Sequence, residues 1–461
     1  MIMSKFVFVL LLAMVSLFSA VHAGESFRFR VYLKDKGDSG YSLEKPEEYL
    51  SREAIERRQR QGLSVSESDL PIARAYLDTL SAVGGTPVLE SKWFSTVVVA
   101  SPDSLVVERL ASLSIVDSVK WVWKGDATTG IPQEENDTSR LILPDQPLRS
   151  YYGYAEGQIK MLDGVKLHES GFKGDGMTVA VIDAGFMNVD RISAFDSLRL
   201  LGTHNVVFPG KSVFVGDDHG TKVLSCLAAD APGVMVGTAP QASYWLIKSE
   251  DSRSEYPIEE DYWTASVEFA DSVGADIISS SLGYFTFDAE GLGYDQGDLD
   301  GRTALISRAA DTASSKGILL FCSAGNEGGG SWGKITFPAD AADVVTVGAI
   351  TEKKKKSNFS SVGFTADCRV KPDVVALGTG CCVIDPGGTI RYANGTSFAT
   401  PILAGLGACL WQALPSLDNK QMIALLRRYA SKYEQPDAEL GYGIPDLYKA
   451  YRQERKYVES E

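Results

Sequence analysis

Residues 394–401 read NGTSFATP and run directly into an apolar stretch, 398–411, rich in Ala, Leu and Gly. Such a run predicts a buried helix beginning at Ser397, and Gly395 permits a tight approach of the chain just before it. A helix start carries unpaired N–H groups and the positive end of the helix dipole. Both can stabilise an oxyanion forming on a carbonyl that Ser397 attacks. A short Gly-x-Ser motif is also how an ordinary helix cap reads, so the serine's partners must decide its meaning.

A hydroxyl is a weak nucleophile at neutral pH and needs a base, which in turn needs a group to orient it. The chain has four histidines, at 22, 168, 204 and 219. His22 falls in a segment expected to be removed. His168, in KLHESG at 166–171, reads as the solvated end of a helix, and His204 follows a Gly-Thr turn with no acidic frame; both are expected to be structural. His219 differs, because the acid-rich loop DDHGT at 217–221 delivers it to a helix start. Asp183 ends the apolar run TVAVI at 178–182 and precedes Ala184 and Gly185, as a strand leaving a parallel sheet would. Chemistry gathers at the carboxyl ends of strands in such sheets. A second strand, GILLFC at 317–322, enters SAGNEG at 323–328, where Asn326 can donate its side-chain amide to the same oxyanion. By itself Asn326 is equally a left-handed turn residue beside glycine.

An acid, a histidine, an amide donor and a serine thus follow one another, and Asp, His, Ser is the order found in subtilisin. With AVIDAG at 180–185, HGT at 219–221, SLG at 281–283, SAGN at 323–326 and GTSFATP at 395–401, the chain resembles the subtilisin-like serine peptidases, or subtilases. Supporting matches are GTAP at 237–240, VVTVG at 344–348, KPDV at 371–374 and GYGI at 441–444, so the resemblance spans about 158–450. It implies a serine endopeptidase in which Asp183 supports His219, His219 takes the Ser397 proton, and Asn326 with the Ser397 N–H forms the oxyanion hole. It further implies that Ser281, Leu282 and Gly283 pair with an extended polypeptide substrate as an added strand. Ser323, Ala324 and Gly325 would line the pocket for the residue before the cleaved bond. Ala184, Lys222 and Leu377 depart from the common family pattern; Ala184 costs Asp183 one local hydrogen bond, and none of the three removes a catalytic group.

Ahead of this region, Lys5 precedes an apolar run at 6–18 and a small-residue site before Gly24, the pattern of a secretory signal over residues 1–23. That run is short for a membrane span, so export to the periplasm or beyond is expected, without a stable membrane anchor. Residues 24–125 give a strand, helices, two strands, a helix and a last strand. That is the split βαβ order of a ferredoxin-like domain. By the same resemblance this small α+β domain is a propeptide that aids folding and inhibits the enzyme, followed by a polar linker at 126–150. The expected fold class is therefore α/β, a subtilisin-like parallel-sheet catalytic domain over 151–461 flanked by helices, preceded by that smaller domain. A non-catalytic peptide-binding protein on a peptidase fold is the alternative, and its sign, loss of a triad member, is absent here.

The net charge, 45 basic against 60 acidic residues, is −15 and argues against nucleic acid as a partner. The basic run at 353–356 reads as a solvated hairpin tip. Six cysteines lack Cys-x-x-Cys spacing, so no metal is expected. Cys226, Cys322 and Cys409 read as buried thiols, while Cys368 could pair with Cys381 or Cys382 in an oxidising compartment. Asp295, Asp298 and Asp300 offer the hard oxygen ligands that calcium takes, but in no recognised calcium-loop frame. No cofactor is expected to be required.

Overall fold

The computed structural model describes residues 24–126, 131–133, 138–143 and 150–458. The secretory signal expected at 1–23 and most of the linker lie outside the described residues.

The N-terminal unit contains β1 (Ser26–Leu33), α1 (Arg52–Arg60), α2 (Arg74–Ala82), β2 (Thr86–Ser91), β3 (Thr96–Ser101), α3 (Val106–Ala111) and β4 (Val116–Gly125). The four strands pair antiparallel in the order β2-β3-β1-β4, as the ferredoxin-like reading requires. Alternation along β3 divides its side chains between two cores. Val97 and Val99 face the unit's own core with Phe29, Val31 and Leu80, whereas Val98 joins Trp93, Val122 and Trp123 against the larger domain.

The larger domain begins with α4 (Glu156–Lys160), α5 (Gly164–Glu169), β5 (Thr178–Asp183), β6 (Arg199–Asn205) and α6 (His219–Ala228). The short hairpin β7 (Asp230–Ala231) and β8 (Met235–Val236) leads into β9 (Ser243–Lys248), α7 (Ile258–Ser272), β10 (Ile277–Ser280), α8 (Leu305–Ser315) and β11 (Leu319–Ser323). Then come β12 (Val345–Ile350), β13 (Val374–Leu377), the hairpin β14 (Cys381–Ile384) with β15 (Ile390–Ala393), and helices α9 (Thr396–Ala413), α10 (Asn419–Arg428) and α11 (Leu447–Val458). Seven strands form one parallel sheet in the order β13-β12-β11-β10-β5-β9-β6.

Both faces of this sheet are covered, which is why its strands read as continuous apolar runs. Val179, Val181, Leu319 and Phe321 pack toward α9, while Ala180, Ile182, Leu320 and Cys322 pack toward α7 and α8. Each such buried aliphatic side chain contributes about 1.5–3 kcal/mol, so a one-residue slip of any central strand is strongly opposed. After β5 the chain winds first to the β9-β6 side and then returns through β10 to the other. Ligands bind at such a reversal, beyond the carboxyl ends of the strands.

The N-terminal unit sits on α7 through buried ionic contacts. Arg30 grips Asp261 with two hydrogen bonds of 2.6 and 2.7 Å. Arg57 and Arg58 share Asp271, and Arg58 and Lys316 share Asp69. Glu268 accepts hydrogen bonds from the Ser91 hydroxyl and the N–H groups of Lys92 and Trp93.

Three expectations change. His168 is buried, not solvated: its Nε2 donates to the Thr238 carbonyl at 2.9 Å and its Nδ1 accepts from Tyr152 at 3.1 Å. Burial lowers its pKa to about 4, so the ring is neutral. Cys368 forms no disulfide with Cys381 or Cys382; all six cysteines are free, with Cys368 exposed and Cys381 and Cys382 buried within β14. Within the polar linker, Leu141 exchanges backbone hydrogen bonds with Arg191 and Ser193 and Leu143 enters the core of the larger domain. No helix among the described residues is long and apolar enough to cross a membrane.

Candidate active site

Asp183 is the last residue of β5 and is fully buried. Its Oδ1 accepts the Ala184 N–H at 2.8 Å and the His219 Nδ1–H at 2.7 Å. Fixing the proton on Nδ1 leaves Nε2 as the basic nitrogen. Asp183 Oδ2 has no partner among the described residues, in keeping with the alanine at 184. His219 opens α6, and its N–H is held by Asp217 Oδ1 at 2.9 Å. The next residue must be small, because a Cβ at Gly220 would lie 2.4 Å from the Gly185 carbonyl oxygen. Burial lowers the His219 pKa, but the charge and hydrogen bond of Asp183, helped by Asp217 and Glu250, outweigh it and lift the value to about 9.

Ser397 is the second residue of α9, whose N-cap is Gly395. It is therefore inside the helix rather than its cap, and its N–H is among those without an intrahelical acceptor. Its Oγ donates to the Ser281 carbonyl at 3.4 Å, while Ser281 Oγ donates to the Ser397 carbonyl at 2.8 Å. This exchange ties the end of β10 to the start of α9. Asn326 accepts the N–H and hydroxyl of Thr396 on its Oδ1, at 2.9 and 3.0 Å. Its Nδ2 is thereby left as the donor.

His219, Ser397 and Asn326 share a cleft of about 520 Å³, with Ser281, Leu282, Gly283, Ser323 and Gly325 in its walls. Ala324 is set apart, its side chain fully buried. Further lining residues were given no role from the sequence, among them Glu250, Ser252, Glu255, Tyr284, Glu327 and Thr336. Of these only Glu327 carried a local signal, standing beside Asn326. Asp217, quoted in the histidine motif, also lines the cleft. Asp295, Asp298 and Asp300 do not converge; Asp298 accepts the Asp295 N–H and Asp300 those of Arg302 and Thr303. Among the described residues no cluster of three or more His, Cys, Asp or Glu could hold a metal ion.

A doubly covered parallel sheet with this cleft at its switch point defines the class of protein. Residues 174–443 match the Subtilase family, peptidase S8, and residues 28–138 match the peptidase S8 propeptide domain of Bacteroidota; the chain belongs to the subtilase family. Subtilisin NAT of Bacillus subtilis subsp. natto is 34% identical over 269 residues, a match covering 57% of this chain and 63% of that protein. Subtilisin of Bacillus pumilus is 32% identical over 269 residues, covering 57% and 87%. M-protease of Shouchella clausii is 31% identical over 269 residues, covering 57% and 61%.

Proposed function

We propose that the chain is an exported serine endopeptidase that cleaves polypeptides through an acyl-enzyme and processes its own N-terminal domain. The observation that carries this reading is the 2.7 Å bond from His219 Nδ1 to Asp183 in the cleft shared with Ser397. Substrate would lie along Ser281 to Gly283. The Ser397 hydroxyl then gives up its long bond to Ser281 for His219 Nε2, and Oγ attacks the carbonyl carbon as Nε2 takes the proton. The negative charge on the carbonyl oxygen is met by Asn326 Nδ2 and the Ser397 N–H. His219 returns the proton to the leaving amine, and the acyl group is released by water activated at the same nitrogen. The N-terminal unit, seated on α7, acts as the inhibitor until it is cut away.

Ser397→Ala tests this. The variant should remain an uncut precursor and lose peptidase activity by at least about 10⁴-fold, read by mass spectrometry of the new N-terminus and by digestion of an unfolded protein. Maturation of the purified variant would remove Ser397 from the role of nucleophile. A wild-type protein that binds peptides without cutting them would favour the non-catalytic reading.

A further inference from the structure

Helix α7 opens with three consecutive acids, Glu259, Glu260 and Asp261, all buried in the uncut chain. The positive end of a helix dipole favours acids in the first turn. The cation opposite them comes from the N-terminal unit. Arg30, 1% exposed, donates from Nε and Nη2 to the two carboxylate oxygens of Asp261, and Nη2 also donates to the Pro257 carbonyl at 3.1 Å. Glu260 is oriented from its other side. Its Oε1 accepts the Tyr294 hydroxyl at 2.5 Å, while Oε2 has no hydrogen bond among the described residues and stands 3.6 Å from Arg30 Nη2. Lys120, which acts on Asp261 through charge, also belongs to the N-terminal unit.

Two residues earlier on β1, Arg28 donates to the Tyr262 hydroxyl of α7. Side chains at i and i+2 of a strand share a face, about 7 Å apart, so this seat receives an extended Arg-x-Arg. The residue between, Phe29, faces the unit's own core and takes no part. The seat borders the active site: Glu255 lines the cleft, and Pro257, whose carbonyl receives Arg30, follows two residues later. Removal of the N-terminal unit takes Arg28 and Arg30 with it. Asp261, Glu260, Tyr262 and the Pro257 carbonyl remain, all on the larger domain, as acceptors already placed for guanidinium groups.

We propose that the vacated seat on α7 is an exosite, a docking site outside the cleft, for extended Arg-x-Arg segments of polypeptide substrates. The inference goes beyond the peptidase reading and rests on it, because the seat opens only once the chain has cut itself. The occupant follows from what the seat holds in the uncut chain. Asp261 meets a guanidinium in a two-bond fork that an ammonium cannot copy, so arginine is preferred to lysine. Strand β4, paired with β1 beside the seat, runs on into the linker. An Arg-x-Arg docked in the same way lies on the N-terminal side of the substrate's cleaved bond. Holding that segment raises the effective concentration of the bond at the cleft, so the gain appears in KM.

The experiment uses the self-processed wild-type enzyme, freed of its N-terminal unit. The substrates are a short peptide that fills only the cleft and long peptides that add, ahead of the same cut sequence and a Gly-Ser spacer of varied length, an Arg-x-Arg, Lys-x-Lys or Gln-x-Gln segment. The expected result is kcat/KM about tenfold higher for Arg-x-Arg than for Gln-x-Gln at the best spacer length, through a lower KM, with Lys-x-Lys between them and a ratio that shrinks as salt rises. A free Arg-x-Arg peptide without the cut sequence should slow cleavage of the long Arg substrate and leave that of the short peptide unchanged. Asp261→Asn should bring the Arg-to-Gln ratio close to one, and Asp261→Glu should keep part of it. A ratio within one variant does not depend on how much of the protein is folded. Equal rates for Arg and Gln at every spacer length in the wild-type enzyme, or a ratio that survives Asp261→Asn, overturn the exosite and leave the peptidase reading intact. Failure to cut any of the peptides overturns the peptidase reading, and this inference with it.

Discussion

Acidic residues on helix α7 and in the neighbouring cleft belong to the same domain but stand in opposite circumstances. On α7, Asp261 and Asp271 are buried against arginines, and Glu268 against backbone and hydroxyl donors, all from the N-terminal unit. In the cleft, Asp217 and Glu250 take their hydrogen bonds from backbone and hydroxyl donors, while His219 and Lys248 act on them through charge alone. Acids of the first kind are completed by a partner the chain itself supplies, and they hold the precursor together. Those of the second kind act on the charge of the His219 ring. The same residue type therefore serves assembly in one place and the protonation of a histidine in the other.

The comparison breaks most readily at Asp271. Removing it leaves Arg57 and Arg58 buried beside each other with half their charge partners gone, and truncating one member of a buried ionic group costs about 3–5 kcal/mol. Asp271→Ala in the uncut Ser397→Ala precursor should lower unfolding stability by that amount, read from the denaturant midpoint. A loss below about 1 kcal/mol would mean that apolar contacts, such as those of Trp93 and Trp123, and not the ionic cluster, seat the N-terminal unit.

How far each region was legible follows from where its information lies along the chain. Ser397, His219 and Asp183 sit at element ends, where a strand stop or helix start leaves a local signature, and the apolar runs beside them give the sheet and α9 directly. The ferredoxin-like order was readable because each of its strands is bounded by Gly, Pro or charge. Burial of His168 was not: apart from Leu167 and Gly171 the stretch KLHESG is polar, and the approach of the Thr238 and Tyr152 segments encloses the ring. Cys381 and Cys382 lie on β14, paired with Ala393 and Tyr392 of β15, and both thiols are buried, whereas Cys368 is exposed. The cleft acids were illegible for a related reason. Glu250 follows β9 and Thr336 lies between β11 and β12, so sheet order alone brings them beside His219 and Gly283.

The reach of the cleft acids onto His219 can be sharpened by pH. Only neutral imidazole can accept the Ser397 proton, and with its pKa raised to about 9 the ring is protonated at neutrality. The kcat/KM should therefore rise about tenfold per pH unit well below that point, roughly fiftyfold from pH 7 to 9. Asp217→Asn should shift this limb to lower pH, because Asp217 is one of the charges that favours the protonated ring. A limb ending near the ordinary histidine value in the wild-type protein would mean that Asp183 and its neighbours do not hold the proton in the working enzyme.

The smallest effect is expected at Glu255, where the absence of a cation should be visible as stability. Burial, with Glu250 and Asp288 nearby, raises its pKa to about 8 in the folded protein. The unfolded chain releases that proton near the ordinary glutamate value, so the folded state holds it over the interval between. Stability from this group is thus present below about pH 4.5 and is lost progressively as pH rises to about 8. Glu255→Gln removes the slope: in the Ser397→Ala precursor it should leave stability unchanged at pH 4 and raise it at pH 9. Because Glu255 is partly exposed, solvent screening limits the gain to about 1 kcal/mol. A loss at pH 9 would place a cation against Glu255 after all.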